Sequence, residues 1–128
     1  MVEELLKSGE RINQLFSTDI KIIQNREVFS YSVDSVLLSR FPRFPKNGLI
    51  VDFCAGNGAV GLFASSRTKA KILSVEIQER LADMAERSVR LNGLDGQMQV
   101  ICDDLKNMPS HIQGSRVDLI LCNPPYFK

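Results

Sequence analysis

Tryptophan is absent from the 128 residues, histidine occurs once, and neither sign of charge dominates. With one histidine and three cysteines (Cys54, Cys102, Cys122) lacking a CxxC pair, the chain offers no ligand set for a metal. It also lacks a His-based relay for a nucleophile, and His111, between Pro109 and Gly114, reads as a surface-loop residue. No apolar run reaches the length of a membrane span, and the acidic stretch from Met1 to Glu10 lacks a signal-peptide pattern. No Gly-x-x-x-x-Gly-Lys-Ser/Thr loop is present, which argues against nucleoside triphosphate hydrolysis. Each cysteine ends an apolar run, so the expectation is buried thiols in a reducing, cytoplasmic compartment. Sixteen Lys and Arg against 15 Asp and Glu give a net charge of +1 and no strongly basic block. Two loose basic clusters remain: Arg40, Arg43 and Lys46, then Arg67, Lys69 and Lys71. Each reads first as ordinary solvated surface, with a contact to RNA phosphate as the lesser alternative.

What is present is a 44% hydrophobic chain of a length suited to one small folded domain. Val2 to Lys7 suits a short helix, and Arg11 to Phe16 is ambiguous. Ile20 to Gln24 and Glu27 to Tyr31 read as short strands around an Asn25-Arg26 turn. Ser32 is placed to cap a helix through Val33, Val36, Leu37 and Phe41, ended by Pro42 and Pro45. From Leu49 the pattern changes. Leu49 to Cys54, Lys71 to Glu76, Gln97 to Cys102 and Val117 to Cys122 read as strands. Between them lie a glycine loop and short helix (Asn57 to Ser66), an amphipathic helix (Gln78 to Asn92) and a short crossover (Leu105 to His111). In the helix, Leu81, Met84, Ala85, Ser88 and Val89 share the inner side. Strands alternating with helices specify an α/β fold with a parallel sheet.

The segment from Asp52 to Gly61 follows a strand and opens a helix, which suits a loop that lets a ligand approach the backbone. Gly56, Gly58 and Gly61 satisfy Gly-x-Gly-x-x-Gly, a spacing that fits a dinucleotide as well as a nucleoside. Glu76 ends the next strand, where a carboxylate can accept both ribose hydroxyls; otherwise it merely begins an exposed loop. Asp52 interrupts a run that should be buried, so it must bond the loop amides or face the ligand's amino-acid portion. Asp103 and Asp104 follow the third strand; one can meet an adenine amino group, with Asp104 favoured, or both simply cap the crossover.

Asn123-Pro124-Pro125-Tyr126 follows the fourth strand and is the most specific feature. Two prolines restrict the loop. The Asn123 side-chain carbonyl and the Pro124 carbonyl offer two acceptors for the two hydrogens of a planar amine. Pinned so, the amine turns its lone pair toward an electrophile, and the acceptors stabilise the positive charge that develops on nitrogen. Tyr126 can stack on a base.

These motifs resemble the Rossmann-like, class I S-adenosylmethionine-dependent methyltransferases from Leu49 to Lys128. That resemblance implies cofactor contacts from Asp52, Cys54, Gly56 and Gly58 of the loop, from Glu76 and Ile77, and from Asp104 and Asn123. It implies an Asn-Pro-Pro-Tyr loop for methylation of an amino nitrogen, with Asn123, Pro124 and Tyr126 as its catalytic residues. The stretches Ile20 to Gln24, Glu27 to Leu38 and Val75 to Arg80, and the ending Asn-Pro-Pro-Tyr-Phe, are similar to bacterial tRNA1(Val) adenine-37 N6-methyltransferases. In that family the leader packs over the cofactor pocket with Asp34 beside it. The resemblance thus divides the chain into a leader, 1–48, and a partial methyltransferase domain, 49–128. Members of that family are longer, so the chain reads as lacking later strands. Such a piece is expected to bind S-adenosylmethionine weakly or be inactive, and an unpaired sheet edge would favour a dimer.

The implied substrate is N6 of adenine 37 in the tRNA, with no membrane or metal involved. Protein glutamine and rRNA guanine N2 present similar nitrogens and remain alternatives. An NAD-dependent oxidoreductase satisfies the glycine spacing but leaves Asn123 to Tyr126 unexplained. A non-enzymatic RNA-binding fragment is the remaining alternative.

Overall fold

A computed structural model describes residues 6–15, 18–25, 38, 43–112, 114 and 116–123. Its elements run β1 (Glu10–Gln14), β2 (Lys21–Asn25), β3 (Leu49–Phe53), α1 (Ala59–Ser65), β4 (Lys71–Glu76), α2 (Glu79–Leu91), β5 (Met98–Cys102), a 3-10 turn (Leu105–Asn107), α3 (Met108–Ile112) and β6 (Leu119–Cys122).

β3 to β6 form one parallel sheet in the order β5-β4-β3-β6. The chain steps outward from β3 to β4 to β5, then crosses back to lay β6 on the other side of β3. The strand order reverses there, so the crevice at the C-terminal tips of β3 and β6 is a topological switch point, where open α/β sheets bind ligands. The α/β, Rossmann-like expectation with four parallel strands holds, and β4 has the bounds read from sequence.

One sheet face is well covered. Ile50, Leu62, Phe63, Ile72, Met98 and Leu121 are buried in a cluster that includes Leu15 and Ile22 of the leader. Burial of each such side chain stabilises the fold by roughly 1.5–3 kcal/mol. α2 contributes the inner side read from sequence; Leu81, Met84, Ala85, Ser88 and Val89 are all buried. Gly93, at φ 67, ends the helix in the left-handed region. Gly61 lets α1 approach the sheet: a Cβ there would lie 2.7 Å from Met98 Cε and 2.8 Å from Ser74 Oγ. On the other sheet face, among the described residues, Val51, Leu73 and Val75 form a smaller buried cluster, with Ile112 of α3 packed against them.

The leader differs from expectation. The ambiguous stretch Arg11 to Phe16 supplies β1, which pairs antiparallel with β2. Leu6 and Lys7, the end of the expected first helix, are not helical. Polar pairing explains both. Glu10 is drawn onto buried Arg87 of α2 by a two-pronged ion pair, its Oε2 accepting from Nη2 at 2.6 Å, and Lys7 pairs with Asp83. These contacts hold the segment extended against α2. The expected strand from Glu27 to Tyr31 lies outside the described residues, as does the helix from Ser32 to Phe41 apart from Leu38. β2 docks on α2 through Ile23 N–H donating to Ser88 Oγ (2.8 Å) and Lys21 N–H to Asn92 Oδ1 (2.8 Å).

Candidate functional site at the strand tips

The site begins where β3 ends. Cys54 is at φ 57, Gly56 at 59 and Gly58 at 93, so three alternating positions take the left-handed region. Glycine adopts it freely; Cys54 does so at a cost, a local strain found chiefly at functional loops. The chain thereby rises from β3, turns over the sheet and enters α1 with Gly58 as its N-cap. Gly58 is also pressed against α2, where an added Cβ would stand 3.1 Å from Ala85 Cβ.

Glu76, at the tip of β4, holds this loop in shape. Its Oε1 accepts the Gly56 N–H (2.8 Å) and its Oε2 accepts the Gln78 N–H (2.9 Å). It is buried, not the first residue of an exposed loop. Each oxygen keeps a lone pair for a further donor. Ile77 beside it is 61% exposed, an apolar platform next to a carboxylate.

Asp52 differs. It is 1% exposed, and neither carboxylate oxygen has a hydrogen-bond partner. The loop amide it was expected to bond belongs to Glu76. Burial, then the negative charge of Glu76, push Asp52 up to about 8; the Gly61 backbone amide opposes this without forming a hydrogen bond of normal geometry. Asn57 is fully buried too: its Nδ2 donates to Ile23 O of the leader (3.3 Å), and its Oδ1 has no partner. Orphaned acceptors beneath a glycine loop suit a ligand that brings donors, such as an amino acid's ammonium group.

The two aspartates after β5 divide their work. Asp103 does the capping. Its Oδ1 accepts from Asp104 N–H and from Asn107 Nδ2 (2.7 Å each), and its Oδ2 lies 2.7 Å from His111 Nε2. The His111 contact first, then Asn107 and the Asp104 amide, hold its carboxyl down at about 2. His111 therefore sits in α3 as a partner of Asp103, not in a loop. Asp104 is 41% exposed; its Oδ1 accepts the Lys106 N–H at 3.1 Å. It is the more available of the two for a ligand. Leu105, which sequence reading did not single out, is 40% exposed at the same rim. Its signal was an apolar residue directly after an acid pair, where solvent should disfavour it.

Asn123 follows β6 and is half-buried. Since β3 alone separates β4 from β6, Glu76 and Asn123 flank one strand at the same end of the sheet. Two inter-strand spacings are about 10 Å, the scale of one nucleoside. The structure thus brings Asp52, Cys54, Gly56, Gly58, Glu76, Ile77, Asp104 and Asn123 to a single rim. Asp34, Pro124 and Tyr126 lie outside the described residues. The cysteines correct an expectation: Cys102 and Cys122 are exposed and Cys54 is half-buried. Cys102 and Cys122 end their strands and Cys54 follows β3 at this rim, where the described residues supply no covering layer. A hollow of about 380 Å³, lined by Leu73, Ile101 and Ile112 among others, lies on the thinly covered sheet face instead. It touches none of the rim residues. Among the described residues no metal-holding group of side chains occurs, and no helix is long and apolar enough to cross a membrane.

Comparison with known proteins agrees with this fold. The chain is similar to the tRNA1(Val) (adenine(37)-N6)-methyltransferase of Shewanella halifaxensis, 31% identical over 96 residues, covering 75% of this chain and 39% of that protein. The Bacteroides fragilis protein of the same name is 28% identical over 94 residues, covering 73% and 40%. The chain thus matches about two-fifths of the length of these relatives. Among solved structures, the fold is similar to a SAM-dependent methyltransferase from Agrobacterium tumefaciens (TM-score 0.69, 19% identity, 94% of this chain and 41% of that one). It is also similar to TYW2 of P. horikoshii, solved in complex with MeSAdo (TM-score 0.65, 18% identity, 79% and 38%). The profile of the family described as "Methyltransferase small domain" matches residues 19–128, and the chain belongs to that family.

Proposed function

We propose that the chain is the cofactor-binding part of an S-adenosylmethionine-dependent methyltransferase acting on an exocyclic adenine nitrogen of tRNA, N6 of adenine 37 in tRNA1(Val). The observation that carries this is the placement of Glu76 and Asn123 on either side of β3 at one rim, with the glycine loop between them. Bound S-adenosylmethionine supplies a methyl group made electrophilic by sulfonium. Glu76 holds the ribose through the lone pairs its backbone contacts leave free. Ile77 packs on the adenine face, and Asp104 accepts the adenine amino group. Asp52 faces the amino-acid ammonium, directly or across one water. Asn123, with Pro124, accepts the two hydrogens of the substrate amine, and Tyr126 stacks on its base. No general base is needed before transfer, since an amine attacks with its own lone pair and sheds its proton afterwards.

The adenine and tRNA assignment rests on relatives so named and on the Ile20–Leu38 leader. Methyl transfer from labelled cofactor to unmodified valine tRNA, against rRNA and release factor, tests the acceptor. Calorimetry tests the cofactor: S-adenosylhomocysteine and S-adenosylmethionine bind, NAD does not, and Glu76→Ala weakens S-adenosylhomocysteine by about tenfold or more, the cost of a charge-assisted pair of hydrogen bonds. Binding of NAD alone would overturn the reading.

A further inference from the structure

The described residues of the two basic clusters, 20 or so residues apart in sequence, are one surface in the fold. Thr68 Oγ1 donates to Pro45 O, and Lys71 N–H donates to Gly48 O at 2.8 Å. The Arg67 guanidinium lies 5.9 Å above the centre of the Phe44 ring. These contacts clamp the 43–48 segment to the 66–71 turn at the N-terminal end of the sheet. Arg43, Lys46, Arg67, Lys69 and Lys71 are all exposed there. Among the described residues none of the five is ion-paired. The nearby acid Asp118 is already engaged, accepting the Leu49 N–H at 3.0 Å and pairing with Arg116 at 3.1 Å. In a chain of net charge +1, five cations with no carboxylate partner among the described residues thus stand together at one end.

We propose that this basal patch binds the phosphate backbone of the RNA whose base is methylated at the opposite rim. The proposal rests on the RNA-acceptor reading above and adds where the body of that RNA lies. β3 is five residues long, so patch and rim are about 16 Å apart, a span that a folded RNA covers and a small substrate does not. The Lys71 ammonium donates to the Gly96 carbonyl, which leaves its charge unneutralised. Guanidinium and ammonium groups without a carboxylate partner can neutralise phosphates, and each phosphate contact releases counterions. A membrane surface fits less well. Among the described residues the exposed large apolar ones are Ile77, Leu105 and Ile120, none of them in the patch, which thus shows no apolar anchor for lipid there.

The test is fluorescence anisotropy with an unmodified valine tRNA transcript across a salt series. The wild-type chain is compared with the triple variant Lys46→Glu/Arg67→Glu/Lys69→Glu. All three side chains are exposed, and circular dichroism verifies folding. The variant should bind at least about tenfold more weakly, with the slope of log K against log salt shallower by about 2–3. Its S-adenosylhomocysteine affinity should be unchanged, because the patch is remote from the rim. Equal tRNA affinity and slope in variant and wild type would overturn the patch while leaving the RNA acceptor standing. No tRNA binding by the wild type would remove both, independently of cofactor binding. Binding of phosphatidylserine vesicles in place of tRNA, lost in the same variant, would assign the patch to membrane and overturn the proposal.

Discussion

Burial without a partner sets the chemistry of Asp52. A carboxyl taken from water beside the negative charge of Glu76, opposed only by the poorly aligned Gly61 amide, keeps its proton, so its value moves from 3.8 to about 8. The sign for stability follows. Below pH 3.8 both folded and unfolded chains carry the proton, and the residue is neutral in the balance. As pH rises from about 4 to 8 the unfolded chain loses the proton while the native one retains it, so stability falls with pH over that window. Asp52→Asn, which keeps the shape and cannot ionise, should remove this slope. Its stability relative to wild type in urea should rise by about 4 kcal/mol between pH 5 and pH 8.5. A difference that does not change with pH contradicts this. Asp103 shows the opposite case two strands away, where three donors hold the carboxyl ionised. Both lie at strand ends in the sequence, and nothing in residue type separates them; the donors that distinguish them come from Asn107 and His111.

At the scale of elements, close approach of α1 to the sheet depends on Gly61. Gly61→Val should cost about 1–3 kcal/mol by driving side chains apart around Ser74 and Met98. Gly96→Ala, with nothing within 4 Å of its added Cβ, should change stability little, and chemical denaturation compares the two directly. The elements most legible in the sequence were those with strong periodicity and glycine punctuation. β4 and α2 emerge within one residue of their expected bounds because a buried strand and an amphipathic helix each carry a clear period. β1 was not legible, since Glu10–Gln14 is short and polar and owes its extended form to Arg87 of α2, 77 residues away. The cysteines were misjudged for a related reason. An apolar run shows that a strand is buried along its length but not where the covering layer stops.

Over the whole molecule, sheet order turns scattered motifs into a site. The sequence places Glu76, Asp104 and Asn123 after strands, but only the order β5-β4-β3-β6 puts them on one rim and the basic clusters on the other. Strand order is not written in local pattern; it follows from the crossover that returns β6 to β3. The glycine spacing alone was compatible with a dinucleotide, and the family match and fold favour a nucleoside methyl donor. Function therefore depends on how the tips of β4, β3 and β6 lie around one ligand. A crystal structure of the protein with S-adenosylhomocysteine measures it directly. The ribose hydroxyls should lie within hydrogen-bond distance of Glu76, with the sulfur over the tip of β3 and facing Asn123. A ligand seated in the hollow beside Ile112, or with its ribose away from Glu76, would contradict the account.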